Sequence, residues 1–293
     1  MNRLVLVDGN AVLHRAYHAL PPLTAPDGSV VNAVYGFATM LLRLINDLKP
    51  THVAVAFDRP KPTFRKKMFE GYQAKRPKMD EELVDQIPKV HDLIASFGIP
   101  IFEKDGFEAD DVLGTLAKKS KNQVIIVTGD KDILQLISKN IFVYMPTKGL
   151  SEAKLYDEKA VKDRMGVVPR LVPDFKALAG DPSYNYPGVP GIGPKTAVAL
   201  LTKYKTLERI LKTKELSSSA RESAILGKDL ATIRTNVPLD GDLTPLADLN
   251  RPEAIRELTK LGFRSLIKRI TGEGKEQKPE QKKQKASEQQ QLF

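Results

Sequence analysis

The chain has 293 residues, of which 46 are Lys or Arg and 36 are Asp or Glu, giving a formal net charge of +10. It contains no Cys and only four His, which argues against a structural or catalytic zinc site. No signal-peptide pattern opens the chain and no apolar run approaches the length of a membrane span, so we expect a cytoplasmic protein without a membrane partner. The basic charge balance is typical of proteins that bind phosphates.

Three apolar runs in the first half of the chain end on aspartate. They are LVLVDG at Asp8, HVAVAFD at Asp58, and VIIVTGDKD at Asp130 and Asp132. Unalternated aliphatic runs of this length are typical of strands that are buried on both faces. Because ligands bind beyond the carboxyl ends of parallel strands, we expect these carboxylates to meet at one edge of a sheet. Aspartate is also a common turn or helix-cap residue, but its recurrence after three strands favours a metal site.

Helical patterns separate these runs. Residues 29–48 and 81–97 carry apolar side chains at helical spacing, which is the rhythm of a doubly wound parallel sheet. Strand signals fade from residue 157 onward, and the last residues are almost wholly Lys, Glu and Gln. The sequence therefore predicts an α/β core over 1–156, a helical subdomain over 157–271, and a disordered tail over 272–293.

A further acidic group follows the strand-like run GIPIF. Glu108, Asp110 and Asp111 lie within GFEADDVLGTLAKK, where we expect a helix to begin near Asp110. Acids in a first helical turn normally stabilise the helix dipole, but three within four residues exceed what a cap needs. All the candidate ligands are hard oxygen donors, which suits Mg²⁺ or Mn²⁺. Two such ions about 4 Å apart activate a water and stabilise a leaving oxygen in phosphodiester cleavage.

The segment 59–80, which directly follows Asp58, is strongly basic and is called the basic segment below. Its Lys and Arg residues are Arg59, Lys61, Arg65, Lys66, Lys67, Lys75, Arg76 and Lys78, with Phe64, Phe69 and Tyr72 between them. A charged run is usually a solvated face. The position of this one favours a mobile segment that grips a nucleic acid strand, with Lys66 and Lys67 on phosphates and Tyr72 stacking on bases.

The string PGVPGIGPKTAVALL, residues 187–201, predicts a turn that binds anions. Its glycines allow a tight turn followed by a helix, and backbone N–H groups at such a helix N-terminus bind phosphate. The pattern is that of a helix-hairpin-helix, which holds a DNA backbone without reading bases. The residues expected to contact DNA are Gly188, Gly191, Gly193, Lys195 and Thr196.

Taken together, the motifs resemble the flap endonuclease and 5′→3′ exonuclease family, most closely the N-terminal nuclease domain of bacterial DNA polymerase I. The resemblance covers about residues 1–271 and rests on DGNAVLHRAYHAL, FDRPKPTFR, GFEADDVLGTLA, TGDKDILQL, LAGDPSYNYPGVPGIGPKTA and LATIRTNV. It implies a PIN-like parallel-sheet nuclease core with a helical arch and a C-terminal helix-hairpin-helix subdomain. It also implies Mg²⁺-dependent cleavage of 5′ ends and flaps, including removal of RNA primers, in DNA replication and repair.

The resemblance implies roles for individual residues as well. One ion is expected on Asp8, Asp58, Glu108, Asp110 and Asp111, and the other on Asp130, Asp132 and Asp181. Charge on the scissile phosphate is expected to be stabilised by Arg76 and Lys75, with help from Arg65. A K⁺ ion is expected at the helix-hairpin-helix turn.

This chain departs from the family pattern at two positions. A second-ion carboxylate of the family is replaced by Tyr184 in GDPSYN, and the family pattern YKxxR is replaced by YQAKR, which places Gln73 after Tyr72. The alternative function is therefore a flap-binding protein with impaired catalysis. We favour the nuclease, because a pure binder gains nothing from a costly carboxylate cluster. A phosphatase of small molecules fits the acids but leaves the basic segment and the DNA-binding turn without a role.

The sequence also indicates partners. The polymerase module of the full-length relatives is absent, so we expect a stand-alone, nucleoid-associated nuclease that acts on DNA with a 5′ flap, nick or 5′ end and serves a separate DNA polymerase. The tail ends in SEQQQLF, which resembles the peptide that docks on the bacterial sliding clamp. Gln289 or Gln290 is the expected polar anchor, and Leu292 and Phe293 form the apolar pair. A chance apolar ending carries equal weight.

Overall fold

A computed structural model describes residues 2–148 and 152–273 of the chain. Its centre is a six-stranded sheet with the strand order β3-β2-β1-β4-β5-β6. The strands are β1 Arg3–Asp8, β2 His52–Ala56, β3 Ile101–Phe102, β4 Gln123–Val127, β5 Ile141–Lys148 and β6 Glu152–Tyr156. All neighbouring strands run parallel except the antiparallel pair β5 and β6. This confirms the predicted α/β class with a mainly parallel sheet.

Helices connect and follow the strands. Those in the first half of the chain are α1 Gly9–Ala19, α2 Asn32–Leu48, α3 Phe64–Met68, α4 Glu81–Val84, α5 Ile87–Ser96 and α6 Ala109–Lys119. Those that follow the sheet are α7 Glu158–Met165, α8 Val172–Ala179, α9 Pro194–Tyr204, α10 Leu207–Leu211, α11 Ser218–Ala231, α12 Pro252–Lys260 and α13 Arg264–Thr271. None of the helices within the described ranges is long and apolar enough to cross a membrane.

The direction in which the chain builds the sheet reverses beside β1. The chain first adds β2 and β3 on one side of β1, and then crosses through α6 to add β4 on the other side. Such a reversal opens a crevice beyond the carboxyl ends of the two strands that flank it. Here Asp8 ends β1, and Thr128, directly after β4, donates a hydrogen bond to Asp8 Oδ2 at 2.6 Å. The fold therefore places the first predicted site residue at the crevice.

The sheet is buried on both faces. Leu4 and Leu6 pack on the side of α6, whereas Val5 and Val7 pack on the side of α1, α2 and α5. The C-terminal helices also divide between the two faces: residues of α8 to α11 join the first core, and residues of α12 and α13 join the second. Burial on both faces explains why the strands read as unbroken apolar runs.

The sequence misjudged the helix expected over 81–97. It is interrupted between α4 and α5, where Gln86 is buried and a new helix begins at Ile87 with Pro88 in its first turn. Gln86 Oε1 accepts a hydrogen bond from the Ala33 amide at 2.8 Å, and Gln86 Nε2 donates to Asn32 Oδ1 at 3.1 Å. The interruption therefore places the Gln86 side chain where it caps the first turn of α2. This contact joins distant parts of the chain, so no local pattern predicts it.

Two very short strands also escaped prediction. They are β7 Gly180–Asp181 and β8 Tyr186–Pro187, which pair antiparallel. Next to them, a Cβ atom on Gly188 would lie 2.3 Å from the Gly180 amide nitrogen and from the Leu178 carbonyl oxygen. Gly188 therefore permits close backbone packing, which is a different role from the predicted contact with DNA.

Candidate active site

A cavity of about 570 Å³ lies beyond the carboxyl ends of β1, β2 and β4. The carboxylates in its lining are Asp8, Asp58, Glu108, Asp110 and Asp130. They come from the end of β1, the loop after β2, the start of α6 and the loop after β4. The structure thus brings five of the predicted metal ligands together at the crevice of the sheet.

Helix N-termini fix two of these carboxylates. Asp8 caps α1 through a hydrogen bond from the Ala11 amide to Oδ1 at 2.9 Å, and its other oxygen accepts from Thr128. Asp58 Oδ1 accepts from the Ala109 amide at the start of α6 at 2.7 Å. A helix N-terminus stabilises a nearby carboxylate. The alternative interpretation of these aspartates as helix-cap residues is therefore also correct. In both cases the capping side chain places a carboxylate at the cavity.

The remaining charge of the cluster is poorly compensated. Burial, together with the negative charges of Asp58 and Asp130, raises the pKa of Asp8 to about 6. Burial likewise raises the pKa of Glu108 to about 7. The pKa of Asp110 lies well above its usual range because of burial and the charges of Asp130 and Asp8. Carboxylates that shift one another in this way are stabilised in their charged form by a bound cation.

The side chains that line the cavity are of the kind that binds a divalent cation. The donors are hard oxygens, which Mg²⁺ and Mn²⁺ prefer. The described ranges contain no group of three or more His, Asp or Glu side chains that is already arranged to hold a metal ion. Binding of an ion therefore includes rearrangement of side chains, and relief of the repulsion between the carboxylates favours it. The donor set of the cavity fits a hard divalent cation.

The structure does not bring Asp111, a predicted metal ligand, into the lining of the cavity. Asp111 is 0% exposed and both its oxygens are occupied. Arg65 donates to the two oxygens at 2.7 and 2.8 Å, the Glu108 amide donates to Oδ2 at 3.1 Å, and the Arg234 amide donates to Oδ1 at 2.8 Å. Asp111 is therefore the buried partner of an arginine and lies behind the cavity.

The same contacts correct the role predicted for Arg65. Its side chain is buried, and beyond Asp111 it donates to the carbonyl oxygens of Leu230 at 2.8 Å and Thr232 at 3.0 Å. Its guanidinium also pairs with Glu108 at 3.2 Å. Arg65 cannot reach a phosphate in the cavity while it makes these contacts. It anchors the basic segment to α6 and to the chain after α11.

Tyr72 was expected to stack on bases, and the structure contradicts this expectation too. The residue is 3% exposed and its ring stacks on Tyr184, with the ring centroids 5.4 Å apart. Its hydroxyl donates to Glu108 Oε2 at 3.1 Å. Tyr72 therefore orients a carboxylate of the cavity, and its ring is not free to meet a base.

The basic residues predicted to hold phosphate are distributed unevenly around the cavity. Arg76 and Lys66 are exposed and line it, together with Gln73. Lys66 Nζ also donates to the carbonyl oxygens of Glu70 and Tyr72, which shapes the loop. Lys67 and Lys75 are exposed to solvent outside the cavity lining. Arg76 is the cation best placed to meet a phosphate, whereas Lys75 is not brought to the cavity.

Two of the three predicted ligands of the second ion lie against a lysine. Asp132 and Asp181 are buried, and Lys176 Nζ contacts Asp132 Oδ1 and Asp181 Oδ2. Tyr184 donates a hydrogen bond from its hydroxyl to Asp130 Oδ2. Lys176 was not among the predicted site residues. Its only signal is a position five residues before Asp181 in DFKALAGD, which a lysine on the surface would share.

The helix-hairpin-helix turn is open to solvent. Gly191, Gly193, Lys195 and Thr196 are exposed, and Gly191 has a φ of 81°, which favours glycine. Helix α9 begins at Pro194, and Ala197 donates a hydrogen bond to the Gly193 carbonyl. The amides of Lys195 and Thr196 precede this bond in the first helical turn, where N–H groups lack intrahelical acceptors. The predicted clamp residues Gln289, Leu292 and Phe293 lie outside the described residues.

Comparison with known proteins identifies the family of the chain. Residues 3–166 match the family described as "5'-3' exonuclease, N-terminal resolvase-like domain", and residues 167–254 match "5'-3' exonuclease, C-terminal SAM fold". The chain belongs to the 5′-3′ exonuclease family. DNA polymerase I of Bacillus subtilis (strain 168) is 38% identical over 293 residues, covering 95% of this exonuclease chain and 33% of the polymerase. DNA polymerase I of Caldicellulosiruptor bescii is 42% identical over 283 residues, covering 92% of this chain and 33% of that protein.

Solved structures resemble this chain in fold. The T5 D15 protein, co-crystallised with metal ions, has a TM-score of 0.69 at 16% identity, covering 93% of this chain and 98% of that one. The catalytic core of Rad2 in complex with a DNA substrate has a TM-score of 0.60 at 16% identity, covering 93% of this chain and 92% of that one. The family assignment and these two likenesses confirm the nuclease fold that the motifs predicted. The chain spans 33% of the length of the polymerase relatives.

Proposed function

We propose that this exonuclease-family chain cleaves DNA at 5′ ends and 5′ flaps with the help of a divalent cation, Mg²⁺ or Mn²⁺. The observation that carries the proposal is the cavity at the crevice of the sheet, where five carboxylates with poorly compensated charge face a rim of arginine and lysine. A basic rim around an acidic centre suits a polyanionic substrate whose cleavage needs a cation. Structural relatives with metal ions or DNA support the same proposal.

The surface around the cavity indicates how DNA is held. Arg59, Lys61, Lys66 and Arg76 line the cavity on the side of the basic segment. On the other side, a second cavity of about 770 Å³ extends from Asp130 to the first turn of α9, and Lys131, Arg164 and Lys195 line it. The two cavities share Asp130, Gly129 and Tyr184. We propose that a DNA backbone follows this route from the helix-hairpin-helix turn to the cleavage centre, and that K⁺ binds at the turn.

The chemistry divides between the cation and the chain. Asp8, Asp58, Glu108, Asp110 and Asp130 would hold the cation, which would supply a water of lowered pKa and neutralise charge on the phosphate. Arg76 at the cavity mouth holds the phosphate by charge-assisted hydrogen bonds. Thr128 and Tyr72 hold the carboxylates of Asp8 and Glu108 in orientation through their hydroxyl groups. We propose that this reaction removes primers and flaps in replication and repair, beside a DNA polymerase and the sliding clamp.

Cleavage of a 5′-labelled flap substrate tests the proposal. The protein is expected to release short products in Mg²⁺ or Mn²⁺, to release none in EDTA, and to bind the flap without cleavage in Ca²⁺. Asp110→Asn is expected to lose cleavage at least about 100-fold, the order expected when an electrostatic group of the reaction centre is removed. Asp163→Asn, which changes an exposed residue of α7, is the matched control and is expected to cleave normally. Cleavage by Asp110→Asn at the wild-type rate would refute the proposed centre.

A second candidate is a flap-binding protein with impaired cleavage. The arrangement of Lys176 and Tyr184 at the predicted ligands of the second ion favours it. The two functions are separated by the same assay. A protein that binds the flap tightly in Ca²⁺ but releases no product in Mg²⁺ or Mn²⁺ would be the binding protein.

A further inference from the structure

We infer that the buried ammonium group of Lys176 takes the place of one of the two divalent cations that the family resemblance implies. The cleavage centre of this chain would then hold a single divalent cation, in the cavity of Asp8 and Asp110. The inference deepens the proposed function and rests on it. Its evidence is the group of Lys176, Asp132 and Asp181 beside that cavity, together with Tyr184 at the boundary between the two.

The ammonium group is enclosed by protein. Lys176, in α8, is only 7% exposed, and its Nζ contacts Asp132 Oδ1 and Asp181 Oδ2. Asp132 begins a 3-10 turn after β4, and Asp181 ends β7, so three separate elements meet at this nitrogen. Nζ also lies 5.6 Å from the centre of the Tyr184 ring, within the range of a cation–π interaction. The position between the two carboxylates is therefore filled by a charge of the chain itself.

Tyr184 closes the same group from the side of the cavity. Its hydroxyl donates to Asp130 Oδ2, while Asp130 Oδ1 accepts from the Asp132 amide at 2.7 Å. Both oxygens of Asp130 are thus engaged. The Tyr184 ring stacks on Tyr72, and the backbone carbonyl oxygen of Tyr184 accepts a hydrogen bond from the Gln73 amide at 2.9 Å. Where the family pattern has a carboxylate, this chain has a neutral phenol that is fixed by the basic segment.

The arrangement opposes a second divalent cation for two reasons. An ion between Asp132 and Asp181 would have to expel an ammonium group that is hydrogen-bonded in a buried position, and a buried charge that loses its partners is strongly destabilised. The phenol of Tyr184 is also a poor ligand for Mg²⁺, because its usual pKa is near 10 and burial raises it well above that. Lys176 supplies positive charge here but offers no open position for a water. Lys176 is therefore a positioning residue for Asp132 and Asp181.

Counting bound ions tests the inference without depending on cleavage. Mn²⁺ is added to the full chain and followed by electron paramagnetic resonance, because two Mn²⁺ ions about 4 Å apart give a spin-coupled spectrum and a single ion does not. The wild-type protein is expected to bind one uncoupled Mn²⁺ at this centre. The double variant Lys176→Ala, Tyr184→Asp is expected to bind a second, coupled ion. Tyr184→Asp alone is expected to stay uncoupled, because Lys176 still fills the position.

Matched variants control for side effects of substitution. Lys131→Ala removes the exposed lysine beside Asp132, and Tyr186→Phe removes the hydroxyl of a neighbouring buried tyrosine. Both are expected to keep the wild-type spectrum. If the double variant does not fold without metal, Lys176→Gln with Tyr184→Asp keeps the volume of the side chain, and the same coupled spectrum is expected.

Two outcomes would overturn the inference. A spin-coupled pair in the wild-type protein would show that a cation displaces Lys176. A folded double variant that binds no second ion would show that Lys176 and Tyr184 do not determine the count. Failure of the proposed function looks different, because a protein that binds one Mn²⁺ as expected but cleaves no flap would refute the nuclease and leave the ion count intact. The dependence of cleavage on Mg²⁺ is a further readout, with an expected Hill coefficient of about 1 in the wild type.

Discussion

The ion pair of Arg65 and Asp111 leads to a prediction that separates folding from catalysis. In Asp111→Ala, Arg65 loses a bidentate partner in a position that is 2% exposed, and the Arg234 amide loses its acceptor. Removing one partner of a buried ion pair costs about 3–5 kcal/mol of the free energy of unfolding. At roughly 2 °C for each kcal/mol in a chain of this size, the melting temperature is expected to fall by about 6–10 °C.

The assay compares thermal unfolding and flap cleavage for two aspartate variants. Asp130→Ala changes a residue of the cavity lining and is expected to lose cleavage while it keeps flap binding in Ca²⁺ and a melting temperature near that of the wild type. Asp111→Ala is expected to show a large loss of stability, and to retain measurable cleavage at temperatures where it is folded. The double variant Arg65→Met, Asp111→Leu is expected to recover much of the lost stability, because it leaves no buried charge unpaired.

One result would refute this reasoning. If Asp111→Ala unfolded at the wild-type temperature and lost all cleavage, Asp111 would be an ion ligand after all. The resemblance to the family implied that role, and the hydrogen bonds to Arg65 and Arg234 contradict it.

Three further predictions concern pH, salt and the tail. Burial raises the pKa of Asp8 to about 6 and that of Glu108 to about 7, so the folded protein holds protons that the unfolded chain has released. The free energy of unfolding in EDTA is therefore expected to fall as the pH rises from about 5 to about 8. Melting temperatures measured across this pH range check the prediction, and added Mg²⁺ is expected to make them depend less on pH. A melting temperature in EDTA that does not change with pH would contradict it. Lys67→Ala, at an exposed position of α3, is expected to weaken DNA binding and lower its salt slope by about 0.9, and an unchanged slope would place this lysine away from phosphate. Deleting Gln289–Phe293 is expected to leave cleavage intact and to abolish co-migration with the sliding clamp; retained co-migration would reject the clamp peptide.

The cavity carboxylates were predictable from sequence because their positions follow from local patterns. An apolar run that ends in Asp8, Asp58 or Asp130 fixes both the strand and the residue at its carboxyl end. Parallel strands then bring these ends to one edge without further information. The same reasoning failed for Asp111, because neighbouring residues on a helix point about 100° apart. Asp110 faces the cavity, and Asp111 therefore turns towards the interior.

The errors at Arg65, Tyr72 and Lys176 have a common cause. Each of these side chains is buried by partners that lie far away in the sequence, or that no local pattern identifies. Arg65 donates to carbonyl oxygens of residues 165 and 167 positions later. Tyr72 stacks on Tyr184. A basic or aromatic residue in a charged run has the composition of a surface whether or not a distant element covers it, so only the tertiary structure separates the two cases.

The contacts of Arg65 have a consequence for how folding completes the cavity. Its carbonyl acceptors belong to Leu230 and Thr232, and the amide of Arg234 completes the shell around Asp111. A chain in which only the sheet and its connecting helices have folded carries an arginine and an aspartate with part of their hydrogen bonds missing. The back wall of the cavity is therefore complete only when residues 230–234 pack against it, which couples the site to a segment far away in the sequence.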